Sequence, residues 1–219
     1  MGKQMLKRIL KAVVYLVIIV SAVVLLMRLL PDQCESGRVD TKPVIYLYPE
    51  KTTQVTVRLD YSGQLTCTYP AYNDGWTVTS DPDGTLTDAA GQTYNYLYWE
   101  GEAATGFDLS EGFCVPGAGT AAFLEDALAR LGLNRKEANE FIVYWLPQME
   151  PNPYNLITFQ QGSYTEAAKL TVTPEPDSVL RVFMTWKGLD APVDIPAQTL
   201  SAFDRHGFTV VEWGGAQVK

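Results

Sequence analysis

The sequence predicts an α+β fold: a β-rich N-terminal part, built as a sandwich or open barrel of short antiparallel strands, followed by a mixed helix/sheet part. Three observations carry this. Apolar residues alternate with period two in short stretches across residues 43–100, each closed by a turn signal. One stretch, residues 121–131, switches to a helical period. Strand-like stretches then resume and run to residue 213.

Ahead of these elements lies an apolar run, residues 9–30, with no charge between Lys11 and Arg28. Roughly 20 apolar residues in a helix span a bilayer core of about 30 Å. Lys3, Lys7, Arg8 and Lys11 precede the run, and basic flanks stay cytoplasmic. A cleaved signal peptide is the competing reading. The run exceeds the usual h-region, and no small-x-small cleavage site follows it. Leu30-Pro-Asp-Gln-Cys34 also lacks the small residue expected before a lipidated cysteine. The organisation reads as 1–11 cytoplasmic, 12–30 a signal-anchor helix in the cell membrane, 31–41 a polar linker, 42–101 the β-rich part and 102–219 the α+β part, the last two outside the cell.

The charge follows the same division. Of 17 basic and 25 acidic residues, residues 1–39 hold six basic and two acidic groups, net +4, and the rest is net −12. An acidic domain repels phosphate backbones, so nucleic-acid binding is excluded.

The elements follow in order. Val44-Ile-Tyr-Leu-Tyr48 has strong strand propensity between Pro43 and Pro49. In Thr53–Asp60, Val55, Val57 and Leu59 alternate with polar residues, and Gln64–Tyr69 alternates likewise. Residues 75–88 read as a hairpin about Pro82-Asp83-Gly84, and Asp88-Ala-Ala-Gly91 as a second turn into Thr93–Glu100. Phe123, Leu124, Ala127, Leu128 and Leu131 share one helical face, with Thr120 as the expected cap and Gly132 as the stop. Asn134 is expected to cap a short turn over 135–140, with a strand at Phe141–Leu146 ended by Pro147. Strands are expected at Tyr154–Phe159, Ala168–Thr173, Val179–Trp186 and Phe208–Trp213, with a short helix at Ala197–Arg205.

Lys42-Pro-Val-Ile-Tyr-Leu-Tyr-Pro-Glu-Lys51, Gly84–Asp88, Tyr96–Gly101, Phe141–Pro147 and Gly207-Phe-Thr-Val-Val-Glu-Trp-Gly-Gly215 together resemble an uncharacterised family of Gram-positive bacterial proteins, membrane-linked or secreted. The resemblance covers roughly residues 42–215. It implies an extracytoplasmic domain and transfers no catalytic residue.

Four constellations bear on chemistry. Cys114 lies a few residues before a helix start, and His206 is the chain's one histidine, so the two form a candidate nucleophile–base pair. Glu100 and Glu212 end or occupy aromatic-rich strands and form a candidate carboxylate pair for glycoside hydrolysis. Asp81, Asp83 and Asp88 faintly resemble a calcium loop, but the third alternating ligand and the distal Glu are missing and the hairpin turn explains Pro82-Asp83-Gly84. No zinc-ligand spacing is present, and no metal or cofactor is expected. Tyr94, Tyr96 and Tyr98 alternate beside Trp99, either as a ligand-binding face or as core.

Cys67 and Cys114 permit a disulfide in an oxidising compartment, or are small buried hydrophobes. Cys34 is placed for a bridge between chains. The expected function is binding of a cell-surface ligand, whether envelope polymer, peptide or protein. The alternative is an envelope hydrolase acting through Glu100/Glu212 or Cys114/His206. A membrane-complex subunit ranks lower, because Ala12, Ser21 and Ala22 give the anchor little small-residue packing.

Overall fold

Twelve strands in two sheets and a helical layer make a β-rich α+β fold, in which N-terminal strands are followed by helices and more strands. The computed structural model describes residue 2 and residues 38–103, 106–160 and 162–218. The expected anchor over 12–30 lies outside the described residues. Among the described residues no helix is long and apolar enough to cross a membrane.

The strands are β1 (Arg38–Tyr48), β2 (Thr53–Tyr61), β3 (Gln64–Tyr69), β4 (Trp76–Ser80), β5 (Leu86–Thr87), β6 (Thr93–Tyr94), β7 (Leu97–Ala103), β8 (Phe113–Pro116), β9 (Tyr154–Gln160), β10 (Ala168–Thr173), β11 (Ser178–Leu189) and β12 (Thr209–Gln217). The helices are α1 (Thr120–Leu131), α2 (Arg135–Met149) and α3 (Gly162–Ala167). One sheet has the order β3-β7-β1-β12-β11-β9-β8, the other β10-β2-β4-β5-β6. In the seven-stranded sheet β11 and β12 are parallel and the other pairs antiparallel. Both sheets therefore mix strands from the two halves of the sequence.

The larger sheet is the middle of three layers, which explains the unbroken apolar run of β1. Val44 and Tyr46 face the helices, while Ile45 and Leu47 face the smaller sheet. All four are fully buried. A strand buried on both faces shows no alternation. On the helix side, Val182, Met184, Trp186, Val211 and Trp213 meet Leu124, Leu128, Phe141 and Trp145. Each such buried apolar side chain contributes on the order of 2 kcal/mol. Between the sheets, Val55, Val57, Trp76 and Val78 meet Leu97, Trp99, Phe183 and Val210.

Four local expectations change. Gly119 is the N-cap of α1, not Thr120, whose buried hydroxyl instead accepts from Asn155 Nδ2 at 3.1 Å. Gly132 does stop the helix, in the left-handed conformation at φ 98°. The expected strand at Phe141–Leu146 is the continuation of α2. Asn134 and Glu137 form a capping box, and Ala138, Phe141, Trp145 and Met149 bury one helical stripe. Pro147 lies in the last turn, where its missing N–H costs one intrahelical bond and does not stop the helix.

The expected helix at Ala197–Arg205 does not form. Gln198 instead uses its side-chain amide as a surrogate strand, accepting from Phe159 N at 2.8 Å and donating to Phe159 O at 2.7 Å. Arg205 then ties this segment to α2 by pairing with buried Glu137 and donating to Gly132 O. Finally, β1 begins inside the expected linker, at Arg38.

Candidate functional site

Aromatic and ionisable side chains gather on the helix-facing side of β3, β7 and β1. Strand parity builds it. Leu97 and Trp99 point into the core between the sheets, so Tyr98 and Glu100 point the other way, with Tyr96 just ahead of them. Residues directly opposed across a ladder share a face, which adds Tyr69 opposite Tyr98 and Cys67 opposite Glu100. From above, α2 contributes Glu140 and Tyr144, one turn apart on the same side. Tyr96, Tyr98 and Tyr144 are half-buried and Tyr69 is 62 % exposed, so this platform is open to solvent.

Lys42 enters the platform from a bulge in β1, between Thr41 and Val44, with a left-handed backbone at φ 53°. Its Nζ lies 4.9 Å from the ring centre of Tyr144, 5.7 Å from Tyr96 and 6.0 Å from Trp213. These are cation–π distances. Beneath it, Trp213 Nε1 donates to Tyr46 Oη at 3.2 Å, and Tyr46 Oη donates to Glu140 Oε2 at 2.6 Å.

Burial holds the Tyr46 phenol far above its ordinary value, reinforced by the hydrogen bond to Glu140 and by its charge. Tyr96 is raised by burial and then by Glu140, and Tyr144 by burial and then by Glu100. Tyr98 is raised by burial and then by hydrogen bonding to Glu100. All four phenols thus stay protonated near neutral pH and serve as ring faces and hydroxyl donors, not as bases. Tyr69 continues the aromatic surface outwards, its ring edge-on to Tyr94 at 5.5 Å. Tyr94 lines an adjoining surface cavity of about 460 Å³ with Pro70, Trp76 and Asp88.

The residues singled out in the sequence separate into those the platform gathers and those it does not. Tyr96, Tyr98 and Glu100 are on it, and Tyr94 is at its rim. Trp99 is not, being fully buried with its indole N–H on Glu212 Oε1 at 3.1 Å. Glu212 is therefore on the opposite face of the sheet from Glu100, ion-paired at 2.6 Å to Arg181 Nε between the two sheets. Those two carboxylates cannot flank one sugar.

Cys114 and His206 do not meet either. Cys114 is level with Leu156 and Lys187, whereas His206 bonds Ser178 at the far end of β11. Nine residues of strand, about 30 Å, separate those levels. Cys67 and Cys114 are both free thiols. They lie on the two edge strands of a seven-stranded sheet, six steps or roughly 29 Å apart. The disulfide that the sequence permits between them does not form.

The acids Asp81, Asp83 and Asp88 build turns. Asp83 Oδ1 accepts from Thr85 N, Asp88 Oδ1 from Ala90 N and Gln92 N, and Asp81 Oδ1 from Thr52 Oγ1. Among the described residues no three His, Cys, Asp or Glu side chains gather in a metal-binding arrangement.

Lys42, Glu140 and Tyr144 escaped the sequence reading. Tyr144 was hidden by taking 141–146 as a strand, although Phe141, Trp145 and Met149 at i, i+4 and i+8 give the helical signal. Lys42 opens the β-rich part in the sequence, and no pattern there marks its bulge.

A search for relatives returns one short, strong match. It is the "uncharacterized protein in bglA 3′ region" of Butyrivibrio fibrisolvens, 52% identical over 66 residues, which are 29% of this chain and 68% of that protein. The chain belongs to the family of that protein. No family model matches it. No solved structure matches it either.

Proposed function

We propose that the chain is a membrane-anchored, extracytoplasmic binding module that holds a cell-envelope polymer on the tyrosine platform. One observation carries the reading: Tyr69, Tyr96, Tyr98 and Tyr144 converge, with Lys42, Glu100 and Glu140, on a sheet face open to solvent. Ring faces stack on apolar ligand surfaces, while protonated hydroxyls and carboxylates at their edges fix orientation. The anchor over residues 12–30 would keep the platform at the cell surface, with the N-terminus inside. The net charge of −12 beyond residue 39 argues against nucleic acid as the ligand.

The test is co-sedimentation of the detergent-solubilised full chain with insoluble cell-wall sacculi. Tyr98→Ala combined with Tyr144→Ala is expected to lower retention at least tenfold, with near-ultraviolet circular dichroism checking that the variant is folded. Equal retention of the variant sinks the proposal. Protease added to intact cells is expected to digest the domain, and protection would reverse the topology.

An envelope hydrolase draws support from a different pair than the sequence suggested, since Glu100 and Glu140 both border the platform. Release of reducing ends by the wild type, lost in Glu100→Gln, would favour that reading.

A further inference from the structure

The hydrogen-bonding capacity of the platform is uneven. Glu140 already accepts from Tyr46 Oη. Lys42 is different. Its ammonium carries three donors and faces three ring surfaces. Among the described residues it makes no ion pair and no side-chain hydrogen bond. A left-handed backbone is strained at a non-glycine residue, and the fold sustains it at the bulge that aims this side chain. Rings stabilise an ammonium without consuming its N–H donors. The result is a pre-oriented cation with open valences at the floor of a stacking surface.

Resting on the platform reading above, we infer that Lys42 is the specificity-determining donor for a carboxylate on the bound glycan, so that the ligand is an acidic sugar. The tyrosines take the sugar's apolar face, and the ammonium takes its carboxylate. The domain is acidic overall, and Glu100 and Glu140 border the platform, so the Lys42 ammonium is the platform group that favours a carboxylate. A peptide carboxylate offers the same charge but lacks the ring face that the tyrosines present themselves to.

The experiment is calorimetric titration of the full chain in nanodiscs with two sugars that differ by a lactyl carboxylate, N-acetylmuramic acid and N-acetylglucosamine. A charge-assisted hydrogen bond predicts at least about tenfold tighter binding of the acid by the wild type. Lys42→Met keeps the stem against the rings and is expected to reduce the ratio of the two affinities below about twofold. Lys42→Arg is expected to restore it, and the melting temperatures of both variants check that they fold.

Equal binding of the two sugars by the wild type overturns the inference, as does a preference that survives Lys42→Met. Binding of trialanine but neither sugar, lost in Lys42→Met, overturns it in favour of a peptide carboxylate. If neither sugar binds yet sacculi still retain the chain through Tyr98 and Tyr144, this inference fails and the platform reading stands.

Discussion

Removing Arg181 tests how the two sheets are held together. Its side chain is 10% exposed and that of its partner Glu212 is 1% exposed. Arg181 Nε donates to Glu212 Oε2 at 2.6 Å, Nη1 donates to Ala168 O at 2.6 Å, and the guanidinium lies 4.8 Å over the Tyr164 ring. The residue thus joins β11 to β10 in the other sheet. Arg181→Met preserves much of the volume but leaves Glu212 charged and unpaired in the core. Breaking a buried pair on one side costs about 3–5 kcal/mol. For a domain of this size that is a fall in melting temperature of roughly 6–20 °C.

Adding Glu212→Gln to Arg181→Met removes the stranded charge, while the amide oxygen still accepts from Trp99 Nε1. The double variant is therefore expected to recover at least about 1 kcal/mol. Urea denaturation followed by near-ultraviolet circular dichroism reads all three proteins. A single variant within about 1 kcal/mol of wild type, or a double variant no better than the single, refutes the reasoning.

Three further outcomes are expected. Gly215→Ala places a Cβ 2.5 Å from Met184 O and 2.9 Å from the Trp145 ring, so overpacking lowers stability by about 1–3 kcal/mol in the same urea assay. The Asp88 carboxyl is held below its ordinary 3.8 by the backbone N–H of Gln92 and the Tyr94 hydroxyl. Its contribution is thus present above pH 3.8 and lost as pH falls through the lower folded value. The gap in melting temperature between wild type and Asp88→Asn should therefore narrow from pH 6 to pH 3, and a constant gap contradicts the assignment. In a Cys34→Ser background two thiols are expected to titrate per denatured chain, with exposed Cys67 reacting before unfolding, and a recovered Cys67–Cys114 cross-link would contradict the sheet order.

Where a strand has one wet face, the sequence is a sound guide. Val55, Val57 and Leu59 alternate in the sequence and are buried together in β2. Where both faces are covered the signal disappears. Nothing in Val210-Val-Glu-Trp213 says which side Glu212 faces; its register with Ile45 decides that, and puts it with Arg181 and not with Glu100. The same limit hid Tyr144, because aromatic and β-branched residues in a buried helix read as a strand. Gln198 illustrates a third case. Its segment has a helical composition, but the free backbone of Phe159 offers a better partner than another helical turn. Tyr96, Tyr98 and Glu100 share one face by their spacing alone. Tyr69 joins them from β3, Glu140 and Tyr144 from α2 and Lys42 from a bulge, and these needed the tertiary structure.

The position of β1 has a consequence for how the chain is made. It emerges first of all the strands, yet one of its two ladder partners is β12, the last. Until β12 has left the ribosome, Val44-Ile-Tyr-Leu-Tyr48 waits without that neighbour, five strongly β-forming residues with no charge among them. Such segments invite aggregation when they linger unpaired. The residues around it meet that hazard, because Lys42-Pro43 on one side and Pro49-Glu50 on the other put a charge and a helix- and ladder-breaking ring at each end. The motif then has two layers of meaning. Its centre belongs to the finished core, and its ends guard the nascent chain during the interval before closure.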